Sequence, residues 1–299
     1  MYRNLLLDKN NKETLMFGNS GFPIFLEENN LKEFALGYVP WHWHDEIQLS
    51  VVTEGSVMFQ LQRGQHILSA GEGIFINSGF LHMSKPNDAD GTYVCVDVNP
   101  KLISSFPGSV IEEKYFRPFL GSERMSAMPL YPDAAWSADV LENIMDVYNL
   151  YLDKDFGHEL KITAKLIGIW ESLIKSDMQN TTAPAYLNPG QRAMKDIITY
   201  IESHYSEKIS LDDIANHVHL SKGECCRSFK RNANTTIFEY LIAYRVQKSS
   251  ELLINSTMTI SQIASAVGFA SSSYFTEAFK KYTGQTPSEH RLSIQTSAI

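Results

Sequence analysis

Hydrophobic residues near the C-terminus repeat at helical spacing and predict a helix-turn-helix unit. The first helix carries four apolar residues on one face: Ile260, Ile263, Ala264 and Val267. Gly268 follows them, where a residue that tolerates positive φ ends a helix at least cost, and Ser271 is placed to cap the next helix. A second apolar series at Phe275 and Phe279 predicts the second helix, and Pro287 marks its end.

The same pattern occurs once more, about fifty residues earlier along the chain. Residues 211–221 match 260–269, and residues 225–231 match 275–281 with an offset of one residue in the turn. One such pattern is weak evidence, because many packed helix pairs share it. Two copies in register, each ending on Phe-Lys and another basic residue, are strong evidence for a duplicated unit. Residues 238–252 predict a long amphipathic helix between the copies.

The N-terminal half contains short stretches that alternate or run apolar, as β-strands do. Such stretches cover residues 47–53, 57–62, 67–69, 74–77 and 93–98. Glu54-Gly55 separates the first two and predicts a hairpin turn, and further glycines separate the others. Many short strands punctuated by glycine indicate an antiparallel barrel or jelly roll.

Two apolar stripes, over residues 136–151 and 160–174, predict helices after the barrel. Their apolar faces must be buried against the barrel, against each other, or against the same helices of a second subunit. The next fifteen residues lose the periodicity and contain two prolines, which predicts a linker. The predicted domains are therefore 1–175, a linker at 176–190, and 191–299.

Composition describes an ordinary globular chain. Its 299 residues, 43% apolar and 20% charged, suffice for about two domains. No apolar run approaches the roughly eighteen residues of a membrane span. The N-terminus also lacks a secretory signal, so we expect a cytoplasmic protein without a membrane partner. Three cysteines, two of them adjacent, cannot form a disulfide framework and are expected to be reduced.

Charge is distributed unevenly, although the net charge is −8. Residues 189–299 contain twelve Lys/Arg against ten Asp/Glu, which leaves the excess of acid in the remainder of the chain. The basic residues therefore lie mainly in the part that could contact phosphate.

Particular residues of the duplicated region carry a resemblance to a known family. They are Arg245, Ala264, Gly268-Phe269, Tyr274-Phe275, Phe279-Lys280, Gly284 and Thr286-Pro287-Ser288. Over residues 191–292 the chain resembles the C-terminal DNA-binding domain of the AraC/XylS transcriptional regulators. The resemblance implies double-stranded promoter DNA as a partner, a homodimer, and an Arg245 that bonds main-chain carbonyls or a carboxylate rather than DNA.

The same resemblance assigns DNA contacts to the second helix of each unit, which we call the reading helices. The candidates are Lys222, Gly223, Cys226, Arg227 and Lys230 in the first, and Ser272, Ser273, Thr276, Glu277 and Lys280 in the second. The three lysines are placed near phosphate and the other residues near bases. Arg227 is the strongest candidate, because a guanidinium can bond guanine O6 and N7 together. Its alternative is a solvated charge or an ion pair with Glu224.

Polar residues of the predicted barrel resemble the two cupin motifs. The first is His42-Trp43-His44-Asp45-Glu46-Ile47-Gln48 followed by Gly55, and the second is the glycine-rich stretch 71–82 that ends in His82. Two histidines at i and i+2 share a face of a strand, and a third from a neighbouring strand could complete a metal site. However, Gln48 stands where metal cupins carry Glu. The favoured interpretation is therefore that these side chains line a small-molecule pocket, or hold the mouth of the barrel by hydrogen bonds, without a bound metal or other cofactor.

Six residues are predicted to bind that small molecule: Trp41, His42, Trp43, His44, Gln48 and His82. The indole rings could supply stacking surfaces, as in sugar sites, although packing in the barrel core is the alternative for each.

These features predict an α+β multidomain fold. It consists of an N-terminal cupin-like antiparallel β-barrel with a helical dimerisation segment, then a C-terminal all-α domain with two helix-turn-helix motifs. The predicted function is a sequence-specific transcriptional regulator rather than an enzyme, controlled by a small molecule for which a sugar is one candidate. It is assigned as an activator with RNA polymerase as a further partner, and repression is left open. The alternatives are a metal-dependent cupin enzyme fused to a helical interaction domain, and an AraC-type regulator that needs no ligand.

Overall fold

Contacts between residues divide the chain into two units. The computed structural model describes residues 5, 12, 13, 15, 21–61, 64–179, 189–233 and 235–297. One unit, here the N-terminal unit, comprises Glu13–Leu31 and Pro40–Tyr186. The other, the C-terminal unit, comprises Met1–Lys12, Lys32–Val39 and Leu187–Ile299.

Seven strands form one sheet. Their bounds are β1 Ile24–Asn30, β2 Val39–His42, β3 Ile47–Leu61, β4 Gly64–Ser69, β5 Gly73–Ile76, β6 His82–Val98 and β7 Ala127–Leu130. The order is β1-β6-β3-β5-β7, with β2 paired to β6 and β4 paired to β3. The pairs of β6 with β1 and β3, and of β3 with β4 and β5, are antiparallel. The prediction of a sheet-rich antiparallel domain is confirmed.

The predicted hairpin turn at Glu54-Gly55 is wrong. Strand β3 runs through it, and its pairing with β6 continues on both sides with register shifts at Val52/Glu54 and Gly55/Val57. Gly55 has a φ of 68°, and a Cβ there would lie 2.2 Å from the main-chain oxygen of Asp90 on β6. The glycine thus forms a bulge that bends one strand. The half before the bulge pairs with β5, and the half after it pairs with β4.

Two long helices cover one face of the sheet, α1 over Ala135–Asp153 and α2 over His158–Gln179. Their buried residues share a core cluster with apolar residues of β3, β5 and β6, and Trp170 of α2 stacks on Phe116 at 4.7 Å between ring centroids. Leu160 and Ile167 were predicted to lie on the buried face, but they are exposed. Packing of helices on the sheet therefore accounts for most of both stripes.

Most of the predicted linker, residues 180–188, lies outside the described residues. Helix α2 extends into its first four residues and ends at Gln179, where Ser176 and Asp177 are buried. Helix α3 begins at Pro189 and ends at His204.

The C-terminal unit is built from helices. After α3 come α4 Leu211–His217, α5 Lys222–Ala233, α6 Ile237–Asn255, α7 Ile260–Ala266, α8 Ser272–Thr283 and α9 Pro287–Ser297. The pairs α4–α5 and α7–α8 are the two predicted helix-turn-helix units, and α6 is the long helix between them. No helix among the described residues has both the length and the apolar character that a bilayer crossing demands.

Local capping residues fix the ends of these helices. Capping boxes open α4, α6 and α7, and Ser271 caps α8 by accepting a hydrogen bond from the main-chain N–H of Tyr274, as predicted. Pro287 does not end α8. Gly284 ends it in the left-handed conformation, and Pro287 is the first residue of α9, where its missing N–H is harmless.

Substitution of Gly268 should destabilise the C-terminal unit more than the same substitution of Gly284. Both glycines have positive φ, 84° and 78°, so alanine costs about 1–2 kcal/mol at either. A Cβ on Gly268 would also lie 2.6 Å from the main-chain oxygen of Tyr205, whereas one on Gly284 meets nothing within 4 Å. Urea unfolding should place Gly268→Ala about 1–3 kcal/mol below the matched control Gly284→Ala. Equal losses would contradict this packing.

Candidate DNA-reading helices and polar cluster

The first reading helix, α5, has one buried face and one exposed face. Cys225 and Phe229, four residues apart, are both fully buried. The five predicted contact residues are exposed: Lys222, Gly223, Cys226, Arg227 and Lys230. The 3.6-residue period of a helix separates the two faces, so the predicted division of α5 into a buried and an exposed face is confirmed.

Two charged side chains at the start of α5, Lys222 and Glu224, contact other groups of the protein. The Lys222 Nζ lies 2.6 Å from a carboxylate oxygen of Asp212 on α4. The Glu224 carboxylate accepts hydrogen bonds from the hydroxyl and the main-chain N–H of Ser221, and these lower its pKa. It caps its own helix, which was not predicted. A Cβ on Gly223 would lie 3.2 Å from the Arg227 guanidinium, so the missing side chain leaves space for that group.

The second reading helix, α8, repeats this division with different chemistry. Phe275 and Phe279 are fully buried. Four of the predicted contact residues are exposed, namely Ser272, Ser273, Glu277 and Lys280. Thr276 is only partly exposed, and its hydroxyl donates to the main-chain oxygen of Ser272 at 2.9 Å. The exposed face of α8 is therefore dominated by hydroxyls and a carboxylate at the positions where α5 carries Cys226 and Arg227.

Arg245 of α6 is structural, as predicted. Its Nε donates to the carbonyl of Tyr205 and its Nη2 to the carbonyl of Glu207, both at 2.7 Å. Both carbonyls follow the end of α3, where the helix no longer supplies partners for them. Burial lowers the pKa of Arg245, and its guanidinium lies 5.9 Å from the Phe269 ring. The side chain thus connects α3, α6 and the residue after the first helix of the second unit.

The N-terminal unit brings together the three predicted histidines. His42 ends β2, His82 begins β6, and His44 lies between β2 and β3. Their ring centroids are 4.1 Å (His42 to His82), 5.2 Å (His44 to His82) and 5.9 Å (His42 to His44) apart, and all three are buried. Each offers a ring nitrogen within 4.8 Å of the others, so among the described residues this cluster could hold a metal ion.

Each of these rings is oriented by a main-chain carbonyl. The Nδ1 atoms lie 2.8 Å from the Pro40 oxygen for His42, 3.2 Å from the Glu46 oxygen for His44, and 2.9 Å from the Phe80 oxygen for His82. A carbonyl accepts only, so each of these contacts requires a proton on the Nδ1 of its ring. Burial and the neighbouring rings lower the pKa of His42 to about 3 and hold that of His82 well below its usual value.

Two acidic groups that sequence reasoning did not single out border the cluster. A carboxylate oxygen of Asp97 lies 3.6 Å from the His44 Nε2, and one of Glu13 lies 3.7 Å from the His42 Nε2. Burial raises the pKa of Asp97 to about 6, against the opposing effect of His44. Burial also raises the pKa of Glu13, with a further increase from Asp97.

The remaining predicted ligand residues, Gln48, Trp41 and Trp43, differ in burial. Gln48 is buried, with its amide oxygen 3.3 Å from the His44 Nε2 and its amide nitrogen donating to the Ser50 hydroxyl. Trp41 is also buried, at 2% exposure, whereas Trp43 is partly exposed. Trp43 thus offers more of its indole to a solute than Trp41 does.

A second feature of this unit was not foreseen from the sequence. A cavity of about 570 Å³ lies between α2 and the segment 103–119. Its walls are mainly apolar and include Ile103, Tyr115, Phe116, Ile167, Trp170 and Ile174. The three histidines are not among the residues that line it.

Comparison with known proteins finds one family match in the N-terminal half of the chain and one in the C-terminal half. Residues 33–166 match the model of the AraC-like ligand binding domain, and residues 214–293 match that of a helix-turn-helix domain. The chain is 32% identical over 290 residues to an uncharacterized HTH-type transcriptional regulator, YdeC, of Bacillus subtilis, which covers 97% of this chain and 98% of the relative. It is 23% identical over 273 residues to the melibiose operon regulatory protein of Escherichia coli, covering 85% and 84%.

Among solved structures, one match is the C-terminal domain of the two-component response regulator yesN from Fusobacterium nucleatum. It has 32% identity and a TM-score of 0.32, and it covers 33% of this chain and 98% of that one.

Substitution of Arg245 should affect stability rather than DNA contact. Arg245→Ala leaves the Tyr205 and Glu207 carbonyls without their charged donor, and we expect a loss of about 1.5–3 kcal/mol in urea unfolding. The matched control Arg227→Ala removes an exposed arginine and should change stability by less than about 0.5 kcal/mol. If the two variants were equally stable, the hydrogen bonds of Arg245 to the Tyr205 and Glu207 carbonyls would not stabilise the fold.

Proposed function

The chain belongs to the AraC family of transcriptional regulators, and we propose that α5 and α8 contact promoter DNA through the predicted residues that they present to solvent. The family pairs a ligand-binding N-terminal domain with a DNA-binding helix-turn-helix domain. The observation that carries the assignment is the duplicated unit, in which two helices bury a Phe-centred face and leave polar residues exposed.

Helix α5 makes the sequence-specific contacts in this proposal. The Arg227 guanidinium bonds the O6 and N7 of one guanine, and the adjacent Gly223 gives it room against the helix surface. Cys226 lies against the neighbouring base, and Lys222 and Lys230 contact phosphates on either side.

Helix α8 contributes a weaker second contact. Hydroxyls such as Ser272, Ser273 and Thr276 bond several kinds of base edge and discriminate poorly, while Glu277 accepts a hydrogen bond from cytosine N4. Lys280 contacts phosphate. Because a carboxylate repels phosphate, a favourable contribution of α8 depends on Glu277 meeting a cytosine.

The N-terminal unit binds the effector in this proposal, through Trp41, His42, Trp43, His44, Gln48 and His82. A sugar is the proposed class, supported by the partly exposed indole of Trp43, which lies between His42 and His44 in the chain, and by the 23% identical relative named for the melibiose operon. The protein acts in the cytoplasm as a homodimeric activator that recruits RNA polymerase, without catalytic activity of its own.

Loss of Arg227 should relax sequence preference, whereas loss of Lys280 should weaken binding to all sequences alike. Fragments of genomic DNA selected by the protein would supply the operator for retardation assays. With Arg227→Ala, discrimination at one G·C pair should fall by about 1–3 kcal/mol. With Lys280→Ala, the slope of log affinity against log salt should fall by about 0.9. An Arg227→Ala protein with the same site preference would refute the proposed base contact.

A sugar effector should change operator affinity. Across a panel of mono- and disaccharides, we expect at least one to shift affinity by about 5- to 150-fold, the usual range of coupling between sites. Trp43→Ala should lose that response and still bind the operator, and the matched control His66→Ala, on β4, should keep it. If no sugar changes the affinity, the effector assignment fails and the DNA contacts stand on their own test.

A further inference from the structure

The proposed sugar site does not explain why three buried imidazoles lie in contact with each other. Three imidazoles from β2, β6 and the segment before β3 converge at centroid distances of 4.1–5.9 Å. All three are at least 95% buried. Three neutral rings can pack like other aromatic side chains, but each also brings a nitrogen lone pair into a space without solvent, and that lone pair requires a donor or a cation.

In all three rings the Nδ1 atom is engaged with a main-chain carbonyl, so Nε2 is the nitrogen that could bind an ion. Each Nδ1 contacts a carbonyl oxygen, which leaves the lone pair on Nε2. The Nε2 of His82 is buried and has no partner within the described structure. The Nε2 of His44 differs, because it lies within hydrogen-bond distance, 3.3 Å, of the Gln48 amide oxygen. A metal-bound histidine likewise donates its second N–H to a carboxylate, a main-chain carbonyl or a water, which orients the ring.

Gln48 is neutral, whereas metal cupins carry a charged Glu at this position. A carboxylate is available instead on the neighbouring strand β6. Asp97 is the residue directly opposite Gln48 in the β3–β6 ladder. Its Oδ1 lies 3.6 Å from the His44 Nε2 and has no hydrogen-bond partner among the residues that the structure describes, while Oδ2 accepts from the Cys95 thiol. Glu13 supplies a second carboxylate 3.7 Å from the His42 Nε2. Both distances are too long for a hydrogen bond between acid and ring.

We propose that His42, His44 and His82 bind a divalent first-row transition-metal ion through their Nε2 atoms, with Asp97 compensating its charge. These three histidines are also among the residues assigned to the effector, so the inference rests on the proposed function. Three protein ligands leave a further position for an oxygen donor, such as water or a hydroxyl of the effector.

The donor set selects the class of ion. Imidazole nitrogen suits zinc, copper, iron and nickel, whereas calcium and magnesium require a shell of oxygen atoms that this cluster does not offer.

Metal binding should be measured on the full chain without DNA or sugar. Protein stripped with a chelator is dialysed against Zn²⁺, and bound zinc is counted by plasma mass spectrometry; we expect about one ion per chain. The same protein titrated with Co²⁺ should develop ligand-field absorption typical of nitrogen and oxygen ligands. His82→Ala should abolish both signals, and Asp97→Asn, which preserves shape, should weaken Zn²⁺ affinity roughly 10- to 100-fold.

Two control variants exclude other sites. His66→Ala removes a histidine of the same unit outside the cluster, and Cys226→Ser removes the exposed thiol, so both should keep full stoichiometry. Circular dichroism of His82→Ala should show an intact sheet. Wild-type protein that binds no zinc, or zinc that survives His82→Ala undiminished, overturns the inference. Either result leaves the response of operator affinity to sugars unaffected, so the two proposals fail separately.

Discussion

A polar group that leaves water must find a partner inside the protein, and this requirement organises both units. In the C-terminal unit, the carbonyls after α3 meet the Arg245 guanidinium, and the free N–H groups at the starts of α4, α6, α7 and α8 meet side-chain oxygens. In the N-terminal unit, the imidazole Nδ1 atoms meet carbonyls. Among the described residues, the His82 Nε2 and the Asp97 Oδ1 are two of the buried polar atoms that have no hydrogen-bond partner, and both belong to the proposed metal site.

The two helix-turn-helix units share the same buried packing positions but expose different side chains. In both copies a pair of buried aromatic or thiol side chains four residues apart fixes the orientation of the reading helix. The exposed positions are then free to vary without cost to packing. Helix α5 carries arginine and lysine there, and α8 carries serine, glutamate and lysine. In the proposed function, the arginine makes α5 the main source of discrimination between bases, while α6 connects the two units.

Local sequence predicted the C-terminal unit well, because its determinants lie within a few residues of each other. The packing of Cys225 with Phe229, the cap at Ser271 and the left-handed Gly268 all follow from spacing. The N-terminal sheet was harder. Glu54-Gly55 has the composition of a turn, and only the close approach of Asp90 from another strand shows that it is a bulge. The pairing of Gln48 with Asp97 depends on a register between strands that the sequence does not encode locally.

The contact between Lys222 and Asp212 has a consequence for how the protein would meet a duplex. A lysine in water carries loosely held anions, and a phosphate carries condensed cations that are set free when the two join. Lys222 already faces a carboxylate of its own chain, 2.6 Å away. In the proposed complex Lys222 would exchange one acidic neighbour for another, and Asp212 would in turn recruit a small cation from solution. The number of basic side chains on α5 would then overstate the net release of mobile ions, and binding through this helix would tolerate salt better than that number suggests.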